Sequence, residues 1–248
     1  MNAICLIARV PDTAARVKAA ADGKTMDEDG VQFVINPYDE FALEAAIQFK
    51  EKTGGELTVI HVGGADFSKD LRQCLAKGAD RAVHLKTDAP LGPHAISALA
   101  SEKIKGLMPA TVFCGKQAVD GDVGATGVML AGLLDVPAIS KVSSLEFGDD
   151  GATCTREIEG GTESIATSLP AVFTLEKGAN EPRRAGLKEI MAAKKKPLDV
   201  EEVSAPAPKL EMLSFELPPA RAEGRIVGEG PEAVSELVRL LREEAKVL

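Results

Sequence analysis

Short apolar segments of strand length alternate with helical patterns through the first half of this chain of 248 residues. The apolar segments lie at 3–10, 57–62, 82–85 and 110–114. Apolar residues at helical spacing fill the intervals at 41–49, 66–77 and 94–105. Such alternation predicts parallel βαβ units with right-handed crossovers, and hence an α/β fold with helices on both faces of a mostly parallel sheet. Sheets of this kind bind ligands at the carboxyl ends of their strands.

The pattern changes after residue 134, where short strands separated by turn residues replace the helices. These predicted strands lie at 139–147, 152–158, 162–167 and 171–175, with a turn at 148–151. Their spacing is typical of antiparallel structure, so we expect a small antiparallel extension from about residue 138. We therefore predict an α/β nucleotide-binding domain over 1–197 that includes this extension.

The remaining residues, 198–248, are predicted to form an extended arm and a C-terminal helix. The arm, 198–219, is rich in proline and acidic residues and has no helical or strand period. Apolar residues at helical spacing predict a helix at 231–246, with Pro231 in its first turn. A shorter helix is predicted ahead of the arm, at 187–194.

A glycine-bearing loop follows the segment 110–114 and leads into a further helical pattern; residues 115–131 read GKQAVDGDVGATGVMLA. Gly121, Gly124 and Gly127 permit positive φ angles and a close approach of the backbone to a ligand. The amides that open the next helix present unpaired donors and the positive end of a dipole, which suits a phosphate.

Polar side chains in this loop fit two interpretations. Thr126 adds a hydroxyl, and Asp120 and Asp122 are spaced either to accept hydrogen bonds from a ribose or to brace the loop. The loop lacks the Gly-Lys-Ser/Thr ending of a Walker A motif and is not a GxGxxG motif after the first strand. Glycine spacing alone therefore leaves a nucleotide site and a plain strand-to-helix turn equally open.

Composition narrows the class of partner. The net charge of −9 disfavours nucleic acid or an anionic membrane surface as the main partner. The apolar runs are far shorter than the roughly 18 residues of a membrane span, so we expect a protein that is not membrane-embedded. The four scattered cysteines lack CxxC spacing, which argues against zinc and against a disulfide scaffold. Three widely separated histidines offer little to a histidine-based catalytic triad.

Several segments together match one family. They are NPYDEFALEAA at 36–46, GKQAVDGD at 115–122, REIEGGTESI at 156–165, LPAVFT at 169–174 and NEPRRAGLKEIMAAKKKP at 180–197. The last segment is the most specific, because so long a run is not expected by chance. Over nearly its whole length the chain resembles the β (small) subunit of electron transfer flavoprotein, which implies an adenine-nucleotide α-hydrolase-like fold.

The resemblance implies a heterodimer with a larger α subunit, in which FAD lies mainly in the α subunit and the β subunit holds a structural AMP. It implies an electron carrier rather than an enzyme. Electrons would enter from acyl-CoA dehydrogenases or similar flavoenzymes and leave to a membrane quinone oxidoreductase. The expected location is the cytoplasm of a bacterium or archaeon, or the mitochondrial matrix of a eukaryote.

The family's AMP contacts carry over to positions at the predicted strand ends and in the glycine loop. They are Leu6, Asn36, Val62, Gly115, Lys116, Gln117, Ala118, Val119, Asp120, Gly121, Asp122, Val123, Gly124, Ala125 and Thr126. Tyr38 aligns with an aromatic residue that in the family lies near the flavin, although an edge-of-core tyrosine is the plainer interpretation. Asn36 or Asp39 is also suited to cap the helix that follows.

Departures from the family pattern keep other functions open. Where the family loop commonly has Asp-Asp-Asp and then Asn-Gln-Thr-Gly, this chain has DGD at 120–122 and GATG at 124–127, so side-chain amides near the phosphate are missing. The Asp-Gly-Asp variant resembles electron-bifurcating members, whose β subunit binds a second FAD and receives hydride from NADH, but their Gln-Val-Gly-Pro continuation is absent. The first 135 residues alone would also suit a universal-stress-like adenine-nucleotide-binding module.

The resemblance also implies a partner-binding loop at 183–197, here called the recognition segment, with Leu187 as its hydrophobic anchor. The residues assigned to partner binding are Leu187, Ile190, Met191, Lys194, Lys195 and Lys196. The plainer interpretation is that Leu187 packs inward and that the basic residues of the segment are solvated cations at a helix terminus. These basic residues are Arg183, Arg184, Lys188, Lys194, Lys195 and Lys196. An exposed leucine with a basic rim would instead suit docking to another protein.

Overall fold

The structure is a computed structural model that describes residues 1–89, 91–149, 151–220 and 223–248. Its strands are β1 (Ala3–Leu6), β2 (Arg9–Pro11), β3 (Phe33–Ile35), β4 (Leu57–Gly63), β5 (Arg81–Lys86), β6 (Thr111–Gly115), β7 (Ala138–Phe147), β8 (Gly151–Ile158), β9 (Gly161–Ser168), β10 (Ala171–Leu175) and β11 (Leu198–Glu202). Its helices are α1 (Pro37–Thr53), α2 (Ser68–Lys77), α3 (Pro93–Leu107), α4 (Thr126–Leu134), α5 (Leu187–Ala193) and α6 (Val234–Glu243). Asp150, in the predicted turn, lies outside the described residues.

One sheet contains nine of these strands, in the order β11-β5-β4-β1-β6-β10-β7-β8-β9. Neighbours from β11 to β7 pair in parallel, and β8 pairs antiparallel with both β7 and β9. Helices α1 and α2 pack on one face, and α3 and α4 pack on the other. Every residue of β1, β6 and β10 is buried, as expected for strands covered on both faces. The predicted α/β fold is confirmed.

Three parts of the predicted strand pattern are wrong. The segment 3–10 is not one strand, because the chain leaves the main sheet after β1 and β2 pairs with β3 in a separate antiparallel ribbon. Strand β10 is not antiparallel, since it lies between β6 and β7 and runs parallel to both. The start of the predicted arm is not irregular, because β11 pairs in parallel with β5.

Two further features bear on the class of protein. No helix in the described ranges combines the length and hydropathy that crossing a membrane requires. All four cysteines are buried free thiols: Cys5, Cys74, Cys114 and Cys154. Burial raises the pKa of each thiol, so none is activated as a nucleophile.

Candidate functional site

A cavity of about 580 Å³ lies at the carboxyl ends of β1, β4 and β6. This volume falls within the range of small-molecule sites. Most of the cofactor-binding residues predicted from the sequence line it, including Leu6, Val62 and the greater part of the glycine loop. The two exceptions are Tyr38 and Val119.

The side chains of the glycine loop brace the loop itself. The Gln117 side-chain amide donates to the Asp122 carboxylate, and the Asp120 carboxylate accepts a hydrogen bond of 2.8 Å from the Gly121 amide. Gly124 has a φ of 64°, which is a conformation that favours glycine. Both aspartates thus brace the loop, which is one of the two roles predicted for them.

The N-terminus of α4 adjoins the cavity, since Thr126 and Gly127 open this helix and line the wall. A Cβ atom on Gly127 would lie 2.6 Å from Cys114 Sγ and 2.6 Å from Thr174 Cγ2. Glycine is therefore required for α4 to begin this close to β6 and β10. The first-turn amides and the helix dipole give this end of the cavity a positive potential that suits a phosphate.

Asn36 holds the glycine loop rather than capping α1, so the capping prediction is wrong. Its Nδ2 donates to the Gln117 carbonyl at 2.8 Å, and its Oδ1 accepts from the Val119 amide at 3.2 Å. No side-chain cap is formed at the N-terminus of α1. Asn36 is buried against the cavity, and its amide group fixes the position of the loop.

Asp39 was predicted only as a possible helix cap, but it is the central polar residue of the site. Its Oδ2 accepts from the Ala8 amide at 2.7 Å, and its Oδ1 accepts from the Gly115 amide at 2.7 Å. The residue is 4% exposed, and burial raises its pKa to about 7 while the two hydrogen bonds oppose that rise. Asp39 thus ties α1 to the segment that follows β1 and to the last residue of β6.

The position of Asp39 in the helical pattern could have revealed this role. It lies on the same face of α1 as the buried residues Ala42, Leu43 and Ala46. An acidic residue on an apolar helix face must find hydrogen-bond donors in the protein. The spacing does not say which donors they are.

Two histidines fix the ends of β1, β4 and β5. His61 Nδ1 donates to the Ile7 carbonyl at 2.9 Å, and His84 Nε2 donates to the Gly63 carbonyl at 2.7 Å. Burial lowers the pKa of His61 to about 4, so this imidazole is uncharged near neutral pH. Its ring lies 5.0 Å from the ring of His84. We did not predict either role from the sequence.

The β2–β3 ribbon adds a cation to the cavity wall that the sequence did not indicate. The Arg9 guanidinium stacks 3.4 Å from the centroid of the Phe33 ring, and both residues line the cavity. Lys116, by contrast, forms an ion pair of 2.7 Å with Glu176. Its ammonium also lies 4.9 Å from the ring centroid of the half-exposed Tyr38, beside the cavity.

Comparison with known proteins shows the family to which this chain is similar. The model of the electron transfer flavoprotein domain matches residues 23–206. The electron transfer flavoprotein subunit beta of Bacillus subtilis is 40% identical over the full length of both chains. The chain belongs to the electron transfer flavoprotein β-subunit family. Subunit beta of Dictyostelium discoideum is 35% identical over 97% of each chain, and that of Mus musculus is 34% identical over 100% of this chain and 99% of its own.

Membership in the electron transfer flavoprotein family confirms the resemblance and sets aside the universal-stress-like hypothesis. Members of the family form flavoproteins, and a β subunit implies an α subunit as its partner. The chain is thus a component of an electron carrier that uses FAD.

The recognition segment of this β subunit presents an apolar surface. Leu187 is 79% exposed, Met191 is 55% exposed and Ile190 is 46% exposed, so the interpretation in which Leu187 packs inward is wrong. Lys194 and Lys195 are exposed beside them.

Lys196 differs from the other partner-binding residues predicted from the sequence. Its ammonium donates to the carbonyls of Leu75 and Ala79, at 2.9 and 2.6 Å. It is therefore held on α2, and we omit it from the surface proposed for docking.

Proposed function

We propose that the chain is the small subunit of a heterodimeric electron transfer flavoprotein that takes electrons from acyl-CoA dehydrogenase-type flavoenzymes and delivers them to a membrane quinone oxidoreductase. FAD in the complex supplies the redox chemistry. The cavity lined by the braced glycine loop carries the proposal, because it supports a nucleotide site in a chain of this family. We place the complex in the cytoplasm, or in the mitochondrial matrix of a eukaryote.

The nucleotide proposed for this cavity is AMP, in a structural role. Leu6, Val62 and Ile96 give the wall apolar side chains that suit an adenine ring. The glycine loop and the N-terminus of α4 offer backbone amides to a single phosphate. Lys116, the one lysine in the loop, is engaged by Glu176, which leaves no lysine and hydroxyl arrangement for a triphosphate with magnesium.

Arg9 supports a second candidate, an electron-bifurcating β subunit with a second FAD in this cavity and NADH as hydride donor. Within the described ranges, the Arg9 guanidinium makes no hydrogen bond or ion pair. A ligand with two phosphates would find a cation there, whereas AMP has only one phosphate to place at α4.

The nucleotide content of the purified heterodimer separates the two candidates. We expect denaturation to release AMP and FAD in equal amounts, because the loop and the α4 N-terminus form one phosphate site. The measurement is chromatography of the supernatant with nucleotide standards. Release of two equivalents of FAD without AMP would favour the bifurcating candidate, and Arg9→Met should then lower the amount of the second flavin.

The region 198–248 is proposed to pack on the α subunit. Its apolar side chains are largely solvent-exposed in the isolated chain, with Leu210 at 83% and Leu213 at 78%. Strand β11 holds the start of the arm on β5. Among the contacts further along the arm, the Phe215 amide donates to the Gly23 carbonyl at 2.8 Å and Glu211 pairs with Lys24 at 3.1 Å. A series of large apolar side chains exposed on one segment is typical of an obligate protein–protein interface.

Replacing Leu213 by glutamate is expected to weaken the heterodimer. Loss of a buried leucine at an interface costs about 1.5 to 3 kcal/mol, which corresponds to at least roughly tenfold in the dissociation constant. Sedimentation equilibrium of the purified heterodimer measures this constant. The matched control is Glu216→Gln on the same arm, which should leave it unchanged. Equal dissociation constants for Leu213→Glu and wild type would contradict the proposed interface.

A further inference from the structure

The α5 helix cannot be stable by itself. It has seven residues and buries one side chain, Ala193, while its apolar side chains face solvent. An isolated helix of this length is not populated in water, because nucleation is unfavourable and so short a helix forms too few hydrogen bonds to offset its cost. Contacts outside α5 must therefore hold the exposed apolar surface of the recognition segment in place.

The N-terminal side of the segment is fixed to α1. Arg183 donates to both carboxylate oxygens of Glu44, at 2.8 and 2.9 Å, and to both of Glu51, at 2.6 and 3.1 Å. Just before it, the Asn180 side chain donates to the Phe41 carbonyl at 2.9 Å. These bonds anchor the chain where it approaches α5, but they do not touch the helix.

The C-terminal side is fixed to α2 by two cations, one on α2 that donates to the recognition segment and one on the segment that donates to α2 and the residue after it. From α2, Arg72 Nη1 donates to the Ala193 carbonyl at 2.8 Å and to the Lys196 carbonyl at 2.6 Å. In return, Lys196 Nζ donates to the Leu75 carbonyl in the last turn of α2 and to the Ala79 carbonyl just after that helix. The Ala193 carbonyl also accepts from the Lys196 amide, so Arg72 adds a second donor at the C-terminus of α5. Each cation thus lies at the C-terminal end of the other helix, where positive charge is favoured by the dipole.

We propose that Arg72 and Lys196, here called the α2–α5 clasp, keep α5 preformed for docking of the redox partner. They are positioning residues, because their charged groups are turned to backbone carbonyls and act through Leu187 and its neighbours. This inference rests on the proposed docking function. A segment that is ordered only part of the time binds its partner with an affinity reduced in proportion to the ordered fraction. Loss of the clasp should therefore weaken binding of the redox partner without altering the flavin.

The test uses Arg72→Met in the intact heterodimer. We expect the KM of an acyl-CoA dehydrogenase for the heterodimer to rise about tenfold, with kcat unchanged. This rise corresponds to an α5 helix that is formed roughly one tenth of the time in the variant. Amide hydrogen exchange at residues 187–193 should accelerate, while exchange in β1 and β4 stays slow. Arg72→Lys should restore both values in part, since the lysine ammonium keeps a positive charge and several donors but lacks the geometry of the guanidinium.

The matched control is Lys69→Met, which removes an exposed positive charge from the same helix and should change neither measurement. Lys196→Met provides a second route to the same result if Arg72→Met lowers the overall stability. Unchanged hydrogen exchange and KM in both clasp variants would overturn the inference. Fast exchange with a normal KM would likewise overturn the positioning role. The docking function is tested separately by Leu187→Ala. If docking fails, Leu187→Ala reacts at the normal rate; if only the clasp fails, Leu187→Ala is slow while the clasp variants keep a normal KM.

Discussion

Replacement of Asp39 by alanine is expected to lower the free energy of unfolding by about 2 to 5 kcal/mol and to reduce nucleotide content. The buried amides of Ala8 and Gly115 would lose their acceptor, and an unpaired buried donor costs roughly 1 to 3 kcal/mol. Nucleotide content should fall because the Asp39 carboxylate holds Gly115, the residue at which the glycine loop begins, so its loss should displace the loop. Denaturant unfolding and chromatography of released nucleotide, both on purified heterodimer, measure the two effects.

Two variants control for loss of charge and of side-chain volume. Asp39→Asn keeps an acceptor for one of the two amides and should be intermediate. Glu40→Gln removes a negative charge from the adjacent residue, whose carboxylate pairs with Lys77 near the surface, and should cost about 1 kcal/mol or less. If Asp39→Ala were as stable as Glu40→Gln, the two hydrogen bonds would not stabilise the site as argued.

The pH dependence of stability gives an independent measure of the same carboxyl group. Its pKa is raised from 3.8 to about 7, so between these values the folded chain keeps a proton that the unfolded chain has lost. This contribution to stability is present at low pH and is lost as the pH rises toward 7. Asp39→Asn removes this contribution, so the difference in unfolding free energy between variant and wild type should shift in favour of the variant as the pH rises from about 4 to about 7.

His61 has the opposite pH dependence, which is why the comparison needs the Asp39 variant. Its pKa is lowered from 6.5 to about 4, so the unfolded chain binds a proton first as the pH falls. Stability from this group is therefore lost on acidification through that window. Both contributions are present in wild type, and only the Asp39 contribution is absent from Asp39→Asn.

The parts of the fold that were predicted correctly depend on local patterns. The apolar segment at 57–62 became β4, and the helical pattern that follows residue 36 became α1, because burial on one face or both leaves a period in the sequence. The presence of helices on both faces of the sheet also followed from the alternation of strands and helices. Such features need no knowledge of which segments meet in space.

The errors concern strand partners, which local patterns do not specify. Strand β10 follows two antiparallel strands, so its direction was assigned by proximity along the chain. Its unbroken buried run, AVFTL, was a usable signal, since such runs are typical of central parallel strands and alternation is typical of antiparallel ones. Strand β11 carries no comparable signal: its sequence, LDVEE, is acidic, and only pairing with β5 makes it a strand.

The same limit applies to the site. Glycine spacing and strand ends located the cavity, because parallel strands bring their carboxyl ends to one edge. The hydrogen bonds that shape it join residues far apart in sequence, such as Asp39 with Gly115 and Asn36 with Gln117. Residue type shows that each needs a partner, but only the folded chain identifies the partner.

Leu187→Ala should slow dehydrogenase-coupled flavin reduction by about thirtyfold at low heterodimer concentration, the factor that corresponds to roughly 2 kcal/mol of docking free energy. Small redox encounters depend on few contacts, so one apolar side chain seated in a partner's pocket carries much of the affinity. Because Leu187 is 79% exposed, truncation should change the free energy of unfolding by less than about 0.5 kcal/mol. Nucleotide content should equal that of wild type. Ile158→Ala, which truncates an exposed apolar residue at the end of β8, is the control and should react at the normal rate. A lowered Tm with an unchanged rate constant for Leu187→Ala would show that the side chain supports the fold rather than the encounter.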